Sequence, residues 1–171
     1  MKTFTWKHTG WSAKHYIFSM GEQIIGQLTF LNSWNSNALY TDNETEFKFA
    51  QKSFWDRDVL ITKDEKTIGE IHSGLFGEKK LTLATGETYF LSTSFWEQEV
   101  YWKTEKGETI IRYKQAAMSS LAKGSISLTD TLPRQTEKLL ISGGIFIRKM
   151  TRKRIALTVA VGIPILAAAS R

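Results

Sequence analysis

Apolar and polar positions alternate in short runs through the first 130 residues of the chain, and then the pattern breaks. The alternation is clear in Glu46-Phe47-Lys48-Phe49, in Val59-Leu60-Ile61-Thr62 and in Gly124-Ser125-Ile126-Ser127-Leu128. Period-two patterning rich in aromatic and β-branched residues predicts strands with one buried face. Four segments repeat the shape strand, tight polar turn, strand: residues 17–30, 59–73, 80–94 and 100–114. Gly21-Glu22, Gly86-Glu87 and Gly107-Glu108 sit at the turns, and Asp64-Glu65-Lys66 takes that place in the second copy. Glycine supplies the positive φ that such turns need. Residues 3–8, 15–18, 44–50 and 123–129 add further strands. A short-looped meander of roughly eleven strands must close into a barrel or split into a sandwich. The polar stretch 32–43 (NSWNSNALYTDN) reads as a loop.

Beyond residue 130 the period changes. Thr131-Leu132-Pro133 places a proline at the first position of a helix. That helix is predicted over residues 134–150, and its LLISGGIFI stretch (139–147) is apolar on every side, which implies burial or lipid. Gly143-Gly144 lowers helix propensity by about 1 kcal/mol per glycine. The pair also lets neighbouring groups come close, as a helix inside a narrow barrel requires. The chain therefore divides into a barrel with its plug helix, residues 1–150 (plug about 133–150), and a tail, residues 151–171.

Charge sharpens that division. Of 23 Lys and Arg, eight lie from Arg134 onward, beside a single acidic residue, Glu137; 15 basic and 16 acidic residues remain in 1–133. The net charge of +6 thus belongs to the end of the chain. It is concentrated in Arg148, Lys149, Arg152, Lys153 and Arg154, between the apolar runs 139–147 and 155–170. Near an anionic leaflet each such cation contributes about 1 kcal/mol. As a helix, residues 155–170 would reach about 24 Å, short of a hydrocarbon core of about 30 Å, and Pro164 would kink it. Spanning, lying on the surface and docking on the protein all stay open for this segment. The balanced barrel argues against nucleic acid as a partner. Without cysteine there are no disulfides and no thiolate sites. The N-terminus has no apolar core of a secretory signal.

A meander of antiparallel strands built on repeated Gly-Glu turns and followed by one apolar helix resembles the tubby C-terminal-like superfamily, which includes the LURP-one-related proteins and the phospholipid scramblases. The resemblance rests on the hairpins around Gly21-Glu22, Ile68-Gly69-Glu70-Ile71, Gly86-Glu87 and Gly107-Glu108 and on the 139–147 helix, and covers nearly the whole chain. It implies about twelve strands closed around a central hydrophobic helix. The cysteine-rich and calcium-binding segments of scramblases have no counterpart here.

Catalytic chemistry finds little footing. His8, His15 and His72 have no helical pairing of metal ligands, and read as surface or rim histidines. Asp56-Arg57-Asp58 and Asp64-Glu65 read as solvated turn residues. No phosphate loop, nucleophile elbow or zinc helix motif occurs. The six tryptophans (6, 11, 34, 55, 96 and 102) suit barrel core and rim packing, with Phe54-Trp55 and Phe95-Trp96 near strand ends able to meet a membrane interface or a ligand mouth. The expectation is a non-enzymatic barrel without metal or cofactor at the cytoplasmic face of a membrane, peripheral or tail-anchored, contacting anionic lipid through the five cations. The alternative is a carrier holding an apolar small molecule or lipid in the lumen.

Overall fold

The computed structural model describes residues 1–9, 14–31, 37–51, 58–74, 78–94, 99–116, 123–129 and 132–168, with side chains to Arg152, Ser94 excepted. Twelve strands follow one another: β1 (Lys2–Thr9), β2 (His15–Met20), β3 (Gln23–Phe30), β4 (Ala38–Thr41), β5 (Glu46–Gln51), β6 (Val59–Lys63), β7 (Lys66–Ser73), β8 (Lys79–Leu83), β9 (Thr88–Ser94), β10 (Glu99–Thr104), β11 (Thr109–Gln115) and β12 (Lys123–Leu128). Each pairs antiparallel with its neighbours in sequence, and β1 pairs with β12 to close the barrel. Closure removes every sheet edge.

The turns set the register. Met20 pairs with Gln23 across Gly21 (φ 59°), and Lys63 pairs with Lys66 across Asp64 (φ 48°) and Glu65 (φ 63°). Positive φ in these two-residue loops matches the twist of the strands they join. The hairpins β2–β3, β6–β7 and β10–β11 each carry a register shift, so three of the four copies of the internal repeat share a bulge, while β8–β9 stays in register. Each of the four hairpins expected from the repeat is present. The expected loop over 32–43 instead contains β4, because Ala38 and Tyr40 point into the core.

A helix, α1 (Arg134–Ala168), begins just after Pro133 and runs unbroken past residue 150, the expected boundary of the tail. Its first half fills the barrel: Leu139, Leu140, Ile141, Ser142, Ile145, Phe146 and Ile147 are all buried. Phe146 stacks between Phe30 (5.7 Å) and Phe49 (4.8 Å). On the opposite wall, the Trp102 indole donates to the Leu140 carbonyl (2.9 Å) and the Tyr113 hydroxyl to those of Leu140 (2.5 Å) and Ile141 (3.2 Å). Burial holds the Tyr113 phenol far above its ordinary pKa, so it stays a donor. Gly144 makes this approach possible, since a Cβ there would lie 2.4 Å from Tyr113 Cζ.

Ion pairs tie the start of α1 to the barrel end that receives it. Lys138 reaches Asp42 (2.8 Å) and Glu44 (3.2 Å), Arg134 reaches Glu44 (2.9 Å) and Lys2 reaches Glu137 (2.8 Å). The helix leaves through the other end, called the mouth below.

Candidate functional site

Five positions of the expected basic cluster fall on one continuous helix at the mouth, and the structure treats them unequally. Arg148 and Lys149 are tucked against the barrel rim, whereas Arg152 is exposed; the Lys153 and Arg154 side chains, like those of 155–170, lie outside the described residues. The Arg148 guanidinium lies 5.7 Å from the Trp6 ring, and Lys149 Nζ lies 3.9 Å from Phe30 and 5.6 Å from Tyr16. Cations over aromatic faces are stabilised by about 0.5–1 kcal/mol each, more when desolvated. One turn apart, Arg148 and Arg152 both donate to the Gln115 side-chain carbonyl, the latter at 2.7 Å.

Gln115 is a neutral acceptor, so this pair of guanidinium groups is held without charge compensation at that contact. Burial, with Arg152 nearby, draws the Arg148 pKa down to about 10, which still leaves it charged at neutral pH. Trp6 Nε1, His8 Nε2 and Arg148 Nε are buried with no hydrogen-bond partner among the described residues. Burial, then Lys149 and His15, lower the His8 pKa. The mouth is therefore a place where positive charge and unanswered nitrogens accumulate, and an anion placed there would be favoured by both.

Barrel closure extends the basic surface onto the wall. Lys7 on β1 stands directly opposite Lys123 on β12, and Lys114 on β11 pairs in register with Ser125 beside them. Like charges directly opposite are unfavourable in a sheet. A groove of about 520 Å³ runs over these residues, past Thr5 and Gly124, to the edge of Trp6. Lys114 has Glu99 at 3.8 Å.

The remaining candidates settle elsewhere. His15 Nδ1 lies 3.2 Å from the Thr29 hydroxyl, and His72 pairs with Asp58 at 2.8 Å. Among the described residues no group of His, Cys, Asp and Glu could share a metal ion. Asp64 and Glu65 form a hairpin turn, Asp58 also caps the Ser73 N–H at 3.2 Å, and Asp56 and Arg57 lie outside the described residues. Trp6 and Trp102 are core; Trp11, Trp34, Trp55 and Trp96 lie outside the described residues. Sequence reasoning missed Lys7, Lys123 and Gln115, whose common place depends on the β1–β12 closure. Only the alternation that turns Lys7 and Lys123 outward was available as a signal.

The fold defines the class: a closed, twelve-stranded antiparallel barrel filled by its C-terminal helix. Comparison with family models, with curated proteins and with solved structures finds no match to this chain.

Proposed function

We propose that this is a non-enzymatic, tubby-like barrel that docks its basic mouth on the cytoplasmic face of an anionic membrane. The observation that carries the reading is the gathering of Arg148, Arg152, Lys7 and Lys123 at one end of a closed barrel, with the Arg pair answered by an amide. Lys149 belongs to the same contact surface, and Lys153 and Arg154 follow on the same helix. A barrel filled by a C-terminal helix supports the tubby-like part of the reading. Phosphate or carboxylate head groups would offer the Arg148 and Arg152 guanidinium groups a charged acceptor in place of the Gln115 amide. Among the described residues no helix is long and apolar enough to cross a membrane, so docking in this reading begins with charge. Apolar insertion by the segment from Ile155 would add an attraction that salt does not weaken.

The lumen does not favour a carrier. An apolar cargo there would have to displace Leu140, Ile145 and Phe146, and the void beside Phe146 measures about 20 Å³.

Vesicle co-sedimentation of three proteins tests the docking: the intact chain, a chain cut after Arg154, and one with Arg148, Lys149, Arg152, Lys153 and Arg154 changed to Gln. The intact chain should bind anionic vesicles best, the Gln variant should lose its preference for anionic lipid, and the truncation should become fully salt-reversible. Equal sedimentation of all three would end the membrane reading.

A further inference from the structure

A cup of about 500 Å³ opens at the other end of the barrel, around the first turns of α1. Phe4, Ile25, Leu132 and Ile141 line it, and Met20 and Ile24 stand beside them. Those last two are 46% and 60% exposed; among the described residues, Met1 and Leu31 are the other exposed large hydrophobics. A concave apolar surface of this size, edged by side chains left in water, has the dimensions of a small-molecule site, about 300–1,000 Å³.

Its polar wall decides what could enter. Each carboxylate there is engaged in an ion pair, and Asp42 is fully used. Asp42 Oδ1 accepts the N–H groups of Glu44 (2.8 Å) and Thr45 (2.9 Å), while Oδ2 accepts Lys138 (2.8 Å) and the Tyr40 hydroxyl (3.0 Å). Glu44 gives one oxygen to Arg134 and the other to Lys138, and Glu137 holds Lys2. The donors are not exhausted. Lys2 and Arg134, 50% and 74% exposed, each make one ion pair and keep further N–H groups for a ligand. Over the apolar floor the cations Lys2 and Arg134 are the exposed groups, whereas Asp42 and Glu137 are only 6% and 13% exposed and Glu44 alone among the carboxylates reaches 50%; this balance favours an anionic head on an apolar body.

We propose that this cup binds a small monocarboxylate with an apolar body, of which a medium-chain fatty acid is the simplest member. The carboxylate sits between Lys2 and Arg134, and the chain lies over Phe4, Ile25 and Ile141 beneath Met20 and Ile24. The site is separate from the mouth and does not rest on membrane docking.

Calorimetric titration of the full chain, without membranes, compares octanoate, octylammonium and octanol as probes below their micelle concentrations. Octanoate should saturate one site, and octylammonium should bind about tenfold more weakly or worse, the effect of losing one charge-assisted hydrogen bond. Lys2→Gln with Arg134→Gln should erase that preference while the circular dichroism spectrum is unchanged. Ile24→Asp, a substitution of an exposed residue, should weaken octanoate and strengthen octylammonium. The variant with the five mouth cations changed to Gln should bind octanoate as the parent does, so failure of docking and failure of this site are told apart. Absence of saturable octanoate binding, equal affinity for the three probes, or an undiminished preference in the double variant would overturn the proposal.

Discussion

Two adjacent glycines in α1 meet different surroundings, and that difference can be measured. A Cβ on Gly144 would lie 2.4 Å from Tyr113 Cζ and 2.5 Å from its hydroxyl, whereas a Cβ on Gly143 would meet Trp102 at 3.7 Å, an ordinary contact. Alanine gains about 1 kcal/mol of helix propensity at either position. At residue 144 overpacking, about 1–3 kcal/mol, and disturbance of the Tyr113 hydrogen bonds, about 1 kcal/mol each, outweigh that gain. Gly144→Ala should therefore lower stability by about 2–4 kcal/mol in urea unfolding, and Gly143→Ala should leave it unchanged or raise it. Asp42 supplies a second prediction at this scale. Burial alone would raise its pKa, but the Lys138 bond, the Glu44 N–H and the Tyr40 hydroxyl together bring it below 3.8. A carboxyl with a depressed folded-state pKa adds stability that is complete above its unfolded value and is lost as pH falls through the folded one. The unfolding midpoint should drop below pH 3.8 by more in the parent than in Asp42→Asn, which has no proton to take up there. Parallel pH profiles would show that the clamp on Lys138 does not depend on the Asp42 charge.

At the scale of elements, α1 is the inner wall against which the barrel packs. Ile145 is 1% exposed, so Ile145→Asp buries a carboxylate without a partner and should cost several kcal/mol or prevent folding. An unchanged unfolding midpoint would mean that this turn of the helix is not core. Helix and hairpins were legible in the sequence because their signals are local: alternation, a turn residue with positive φ, and an apolar run after a proline. β4 was not. Its four residues lie after an asparagine-rich stretch, and the burial of Tyr40 comes from distant partners, stacking on Phe47 at 4.6 Å and packing over Gly26. The basic cluster was legible as charge, but not the division of it into cations held on aromatic rings and one exposed to water. Nor could a linear pattern place Lys7 opposite Lys123. That meeting is a product of closure between the first and last strands, and it moves the centre of the candidate site from the helix alone to the helix and the wall around it.

Over the whole molecule, charge is arranged along the barrel axis. The tight turns at the end where α1 begins carry Glu22, Asp64, Glu65, Glu87, Glu105 and Glu108, against Lys63, Lys66 and Lys106. The mouth end carries Lys7, Lys14, Lys114, Lys123, Arg148 and Arg152; against them stand, among the described residues, Glu78, Asp58, which pairs with His72, and Glu99, which pairs with Arg112 and Lys114. A particle polarised in this way turns its basic end toward an anionic surface before contact, and the torque weakens as salt shortens the Debye length, about 10 Å at 0.1 M. The absence of native cysteine makes the orientation directly testable, because any introduced thiol is the only one to label. Glu22→Cys puts an environment-sensitive dye in the β2–β3 turn, and Thr9→Cys puts it at the mouth end of β1. On anionic vesicles containing head-group nitroxide lipid, the dye at position 9 should be quenched and the dye at position 22 should not, and the difference should shrink as salt is raised. Equal quenching at both positions would show adsorption without a preferred face. Stronger quenching at position 22 would reverse the orientation and move the membrane contact to the acidic end.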